Sequence, residues 1–113
     1  MLRLVSLIAL VLAAAASQKA PKRDGTRVLT GTVTDQDARP IPYAAVQIEN
    51  ERTLQVRSYI SETHGEFHFA ELRTDVDYDL SALFDGIRSP KKTLSQFDER
   101  PHPTMTLVIH LPK

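Results

Sequence analysis

From Val28 onward apolar residues recur at every second position, and this period of two limits the available folds more than any other feature of the chain. In Val28 to Asp35, Leu29, Gly31 and Val33 fall on one face and Thr30, Thr32 and Thr34 on the other, the alternation of a half-buried strand rich in β-branched residues. Ala44, Val46 and Ile48 alternate in the same way with Ala45, Gln47 and Glu49. A third run places Leu54, Val56, Ser58 and Ile60 inward and Gln55, Arg57, Tyr59 and Ser61 outward. Phe67 and Phe69 oppose Glu66 and His68, and Tyr78, Leu80, Ala82 and Phe84 oppose Asp79, Ser81 and Leu83. Asp85-Gly86 then supplies a tight hairpin with positive φ. Ile87 to about Leu94 carries Pro90, which cannot donate to a ladder and so assigns this strand to an edge. Met105, Leu107, Ile109 and Leu111 form the last inward face. Turn-forming clusters separate these segments, and no stretch of twelve residues beyond the N-terminal segment holds a helical stripe. The expectation is an all-β domain, a seven-stranded antiparallel Greek-key β-sandwich, with a small barrel as the other solution for such a pattern.

The N-terminus is of another kind. Met1-Leu2-Arg3 is followed by an apolar run from Leu4 to Leu12 and by Ala13 to Ala16, the charged, apolar and small-residue parts of a secretory signal. Its uncharged stretch, Leu4 to Ala16, is shorter than the ~17–25 residues a spanning helix needs, which points to a signal peptide over 1–16, cleaved near Ala16. Residues 17–27 are polar, contain Pro21 and Gly25, and read as a flexible linker, leaving 28–113 as the domain. The mature chain is thus expected to be secreted or periplasmic, without membrane insertion. With no cysteine, it carries no disulfide, no thiol ligand and no acylation site, so its own core must hold it together. A balance of 14 basic and 14 acidic residues gives none of the broad charge that nucleic acid or anionic membrane would attract.

Several pieces together carry a family pattern: Gly31-Thr32-Val33-Thr34-Asp35, Arg39-Pro40-Ile41-Pro42, Ala44 to Ile48, Gly65-Glu66-Phe67-His68-Phe69 with Leu72, and Tyr78-Asp79-Leu80. They resemble the carboxypeptidase regulatory-like domain, and Ser89 to Asp98 is similar to small secreted members of that group from soil bacteria. The resemblance implies a prealbumin-like sandwich of the carbohydrate-binding-like kind and an accessory module, not a catalyst. Ala38 and Tyr43 stand where the pattern has glycine, so both loops are expected to differ in conformation.

No reactive constellation emerges. His64, Glu66 and His68, at i, i+2 and i+4, would share a strand face and could in principle ligate zinc or copper, but His64 reads as a turn residue. Asp35 and Asp37 lack the 1-3-5 acidic spacing of a calcium loop. Ser89-Pro90-Lys91-Lys92 spells Ser-x-x-Lys, which works only on a helix, whereas Pro90 lies in a strand-like segment. No catalytic residue, metal or cofactor is therefore implied. Arg88, Lys91, Lys92 and Arg100, beside Asp98 and Glu99, read as a solvated edge that discourages strand pairing. Two binding roles remain: contact with an envelope protein, or binding of a polysaccharide by exposed rings, for which Tyr43, Tyr59 and Phe97 are the candidates. Of these, Tyr59 is expected to pack across strands on the outer face and Phe97 to cap the end of the core beneath the 96–104 loop.

Overall fold

Eight strands and no helix make up residues 25–112, the part of the chain described by the computed structural model. The expected signal peptide and the linker up to residue 24 lie outside the described residues. The strands are β1 (Thr26–Asp35), β2 (Ala45–Asn50), β3 (Val56–Ile60), β4 (Glu66–Arg73), β5 (Tyr78–Phe84), β6 (Ile87–Arg88), β7 (Lys92–Leu94) and β8 (Thr104–Ile109). They form two packed sheets, one ordered β4-β1-β8 and the other β3-β2-β5-β6, with β7 also paired to β5. This is the expected sandwich, with three differences of detail. Pro90 splits the sixth expected strand into β6 and β7, as a residue without an N–H must. The pairing of β1 with β8 is parallel, from Thr30 opposite Thr104 to Asp35 opposite Ile109, while every other pair is antiparallel. β1 also begins at Thr26, so the last two positions of the expected linker are strand.

The core is the inward face foreseen from the alternation: Leu29 and Val33, Val46 and Ile48, Phe67 and Phe69, Leu80 and Ala82, Leu107 and Ile109 are all buried. Gly31 lies opposite Phe67 in the centre of its sheet. A Cβ there would stand 2.3 Å from the Met105 carbonyl oxygen and 2.3 Å from the Phe67 ring, so glycine is what lets the aromatic ring lie over the strand. Ile41, between its two prolines, is pinned to β1 by its N–H, which donates to the Val33 carbonyl at 2.8 Å.

β3 departs from the expectation by one residue of phase. Directly opposed residues of an antiparallel pair share a face, and the register sets Tyr59 against buried Val46 and Arg57 against buried Ile48. Tyr59 and Arg57 therefore turn inward and Ser61 is buried, while Leu54, Val56 and Ile60 are exposed. The turn fixes this register. The Asn50 side-chain oxygen accepts from the N–H groups of Arg52 and Thr53, and the Leu54 N–H donates to the Asn50 carbonyl. Arg57 tolerates this side because it stays exposed, its guanidinium lying 5.8 Å from the Phe69 ring centroid and donating to the Ala70 carbonyl at 2.9 Å.

Candidate interaction surface

Among the described residues, β3 has a strand neighbour on one side only. The Asn50 N–H donates to the Gln55 carbonyl and the Ser61 N–H to the Ala44 carbonyl, so the odd-numbered residues of this strand direct their backbone groups to β2. By the alternation of an antiparallel ladder, Val56, Ser58 and Ile60 direct theirs the other way, where no strand lies among the described residues. The side chains beside this open row are apolar: Leu54 is 66% exposed, Val56 51% and Ile60 56%. Tyr43, 69% exposed, adjoins the far end of the strand, its N–H donating to the Ser61 carbonyl.

Leu54 and Tyr43 share a second property. Their φ angles are 65° and 64°, in the left-handed region that costs a branched or aromatic residue of order 1 kcal/mol relative to glycine. Ala38 has a φ of 67°. The two loops that carry Ala38 and Tyr43 in place of glycine thus keep a glycine-like backbone rather than adopting another, which corrects the expectation from sequence. Asp35 enforces this in the first loop, one carboxylate oxygen accepting from the N–H groups of both Asp37 and Arg39.

The other edge of the same sheet is closed to pairing. β6 has two residues and β7 three, with exposed Pro90 and Lys91 between them. Lys91 reaches the Asp79 carboxylate at 3.7 Å, and Arg88 donates to Ser81 and Gln47 across the outer face. Buried Arg27 then straps down the 96–104 loop, its guanidinium donating to the carbonyls of Ser95, Asp98 and Val76. Within that loop Arg100 pairs with Asp98 at 2.6 Å, and this hydrogen-bonded partner holds the Asp98 carboxyl down to about 2.

The three rings proposed from sequence do not share a platform. Phe97 is 82% exposed and does not cap the core; the buried apolar residue of the loop is Pro103, and Arg27 anchors its beginning. It follows Leu94, which pairs with Tyr78, at the Asn50 end of β2, whereas Tyr43 precedes the Ala45 end. The two ends are on the order of 20 Å apart along the strand. Tyr59 leaves the inner side of β3 toward the edge of β4 rather than packing on the outer face of its own sheet, its ring centroid 6.0 Å from buried Phe69 and 4.9 Å from exposed His68. Its hydroxyl donates to Glu62, and that bond raises the Tyr59 pKa above its ordinary value.

Among the described residues no three His, Asp or Glu side chains converge as a metal site; His64 is in the turn before β4, and Glu66 and His68 are on its exposed face. Glu66 and His68 border an open groove of about 840 Å³ over the three-stranded sheet, with Thr30, Thr32, Thr104 and Thr106 in paired rows. The Ser89 hydroxyl is buried between the Ala82 N–H and the Pro90 carbonyl, a structural position.

The sequence pattern of the carboxypeptidase regulatory-like domain matches residues 28–110. The chain belongs to that family. No curated protein matches it in sequence. Among solved structures, its fold is similar to catechol 1,2-dioxygenase of Acinetobacter sp. ADP1, with a TM-score of 0.59 at 12% identity over 82% of this chain and 55% of that one. A variant of BcpA, the major pilin subunit of Bacillus cereus, gives 0.59 at 10% identity over 76% of this chain and 30% of that one. A DUF3823 family protein of Parabacteroides merdae gives 0.57 at 15% identity over 75% and 46%. This chain spans about half or less of each of these proteins, and at such identities the likeness is one of fold.

Proposed function

We propose that this protein is a non-enzymatic accessory module that is exported by its 1–16 segment, with cleavage near Ala16, and works by protein contact at the cell envelope. It does so through the β3 edge. The observation that carries this reading is the coincidence, on one edge, of unpaired backbone groups with large exposed apolar side chains, two of them in strained backbone positions. An edge of that kind is a template for an added strand, and most domains blunt it. The family membership and the pilin-like fold support a structural or interaction role. No helix among the described residues is long and apolar enough to cross a membrane.

The test is a photo-crosslinking residue placed at Val56 or at Lys91 in producing cells. Protein adducts are expected from Val56 and not from Lys91. Adducts from neither position, or equally from both, would overturn the reading. Capture of a polysaccharide that is lost in Tyr43→Ala, without adducts at Val56, would replace it with glycan binding.

A further inference from the structure

The sequence of β3 is complementary to itself when reversed, and we infer that its partner is a second copy of this chain, paired antiparallel across a two-fold axis at Ser58. This rests on the reading of β3 as a protein contact and specifies the occupant. Only Val56, Ser58 and Ile60 turn their backbone groups outward, so only registers that set these residues against one another form hydrogen bonds. Centring the axis on Ser58 places Val56 opposite Ile60 of the second copy, and Ile60 opposite its Val56. Both pairs lie on the outer face and both are apolar. On the inner side Arg57 meets Tyr59, the ring whose hydroxyl is held by Glu62. Two neighbouring registers preserve the hydrogen-bond parity: the one centred on Arg57 sets Arg57 against Arg57, and like charges directly opposed are disfavoured, while the one centred on Tyr59 sets Val56 against Glu62 and Ile60 against Ser58 and so loses both apolar pairs.

The charges along the edge select the same arrangement. Arg52 and Arg57 lie toward the start of this segment, whereas Glu62 and Glu66 lie at its end, joined by the Glu62 N–H donating to the Glu66 carbonyl. Antiparallel pairing brings the basic end of one copy to the acidic end of the other, and parallel pairing does not. Glu51, the acid nearest the basic end, turns toward Asp79, and their hydrogen bond raises its pKa above the ordinary value. A two-fold contact is isologous, so it closes at two copies and uses up the open edge of each.

Sedimentation equilibrium of the exported chain, from micromolar to near-millimolar concentration, tests the pairing, together with amide exchange. The expected result is a monomer–dimer equilibrium in which the N–H groups of Val56, Ser58 and Ile60 gain protection as concentration rises. Each contact occurs twice across the axis, so Val56→Lys should weaken dimerisation about tenfold or more. Ser58→Pro removes a donor that β2 does not use and should abolish dimerisation. If Ser58→Pro does not fold, Val56→Lys decides, because its exposed position leaves the fold intact. A chain that stays monomeric throughout, or a dimer indifferent to Val56→Lys, overturns the two-fold pairing. The broader reading of β3 as a protein contact is judged separately, by crosslinking in cells: adducts from Val56 to a different protein, with a monomeric purified chain, would leave that reading standing and this inference refuted.

Discussion

At both edges of the larger sheet a buried serine closes the strand, Ser61 behind β3 and Ser89 behind β6. The Ser61 hydroxyl accepts from the Ala44 N–H at 2.8 Å and donates to the Ile41 carbonyl at 2.8 Å. The Ser89 hydroxyl accepts from the Ala82 N–H at 2.9 Å and donates to the Pro90 carbonyl at 3.2 Å. The inner anchoring is therefore alike, and what differs is the outward side. One edge is cut into two short strands by proline and studded with cations, while the other offers five consecutive strand residues flanked by Leu54 and Tyr43. The contrast teaches that protection of an edge is a local matter of a few residues, separable from how the edge is held to the core.

Five experiments put this contrast between the two edges at risk. The largest effect is expected for Arg27→Ala, which leaves three carbonyls without their donor and frees the loop behind the closed edge; denaturant unfolding should show a loss of about 3 kcal/mol. Ser61→Ala and Ser89→Ala should each cost about 1–2 kcal/mol, because each strands a buried N–H. Losses differing by more than a factor of three would contradict the claim of equal anchoring. Glycine in place of Leu54 or Tyr43 should instead stabilise the fold by about 0.5–1 kcal/mol, since the left-handed backbone is relieved and little burial is lost. A rise in thermal midpoint accompanied by weaker self-association would separate stability from surface role at these positions.

Pro90→Thr combined with Lys91→Val should change stability by less than about 0.5 kcal/mol, both positions being exposed, yet increase light scattering of concentrated solutions. Unchanged scattering would mean that the brevity of β6 and β7 alone suffices to protect that edge. The smallest effect concerns Asp98. Its carboxyl, held down to about 2 by Arg100, contributes stability above the unfolded value near 4, and that contribution is lost as pH falls through about 2. A carboxyl ¹³C titration with its midpoint near 4 would show that the Asp98–Arg100 pair does not persist in solution.

Much of this was legible in the sequence because strands advertise burial by alternation. β1, β2, β5 and β8 turn inward the residues their pattern selected, with Phe84 and Met105 only half-buried, and Gly31 marked a close backbone approach. β3 shows where such a reading fails. Its apolar set, Leu54, Val56 and Ile60, lies on the solvent side, and the inward set includes Arg57 and Ser61, polar residues satisfied by the Ala70 carbonyl and the Ala44 N–H. Alternation gives a period but not its sign when the more apolar face is the outer one; the sign comes from register, set here by the Asn50 turn. The β3 edge was therefore missed as a surface, while Tyr43 was found only as a ring. The signal that could have found it lies in the turn, where Asn50 sets the register, and not in the strand, whose apolar set of Val56 and Ile60 points the wrong way.

The parallel pairing of β1 and β8 has a consequence for how the domain comes into being. β1 is the middle strand of its sheet, and the neighbour on its second side is not reached until residue 104. Residue 30 must wait for residue 104, a loop closure whose entropy slows folding and which no earlier strand can replace. A ribosome releasing this chain from its N-terminus therefore delivers the keystone first and its buttress last.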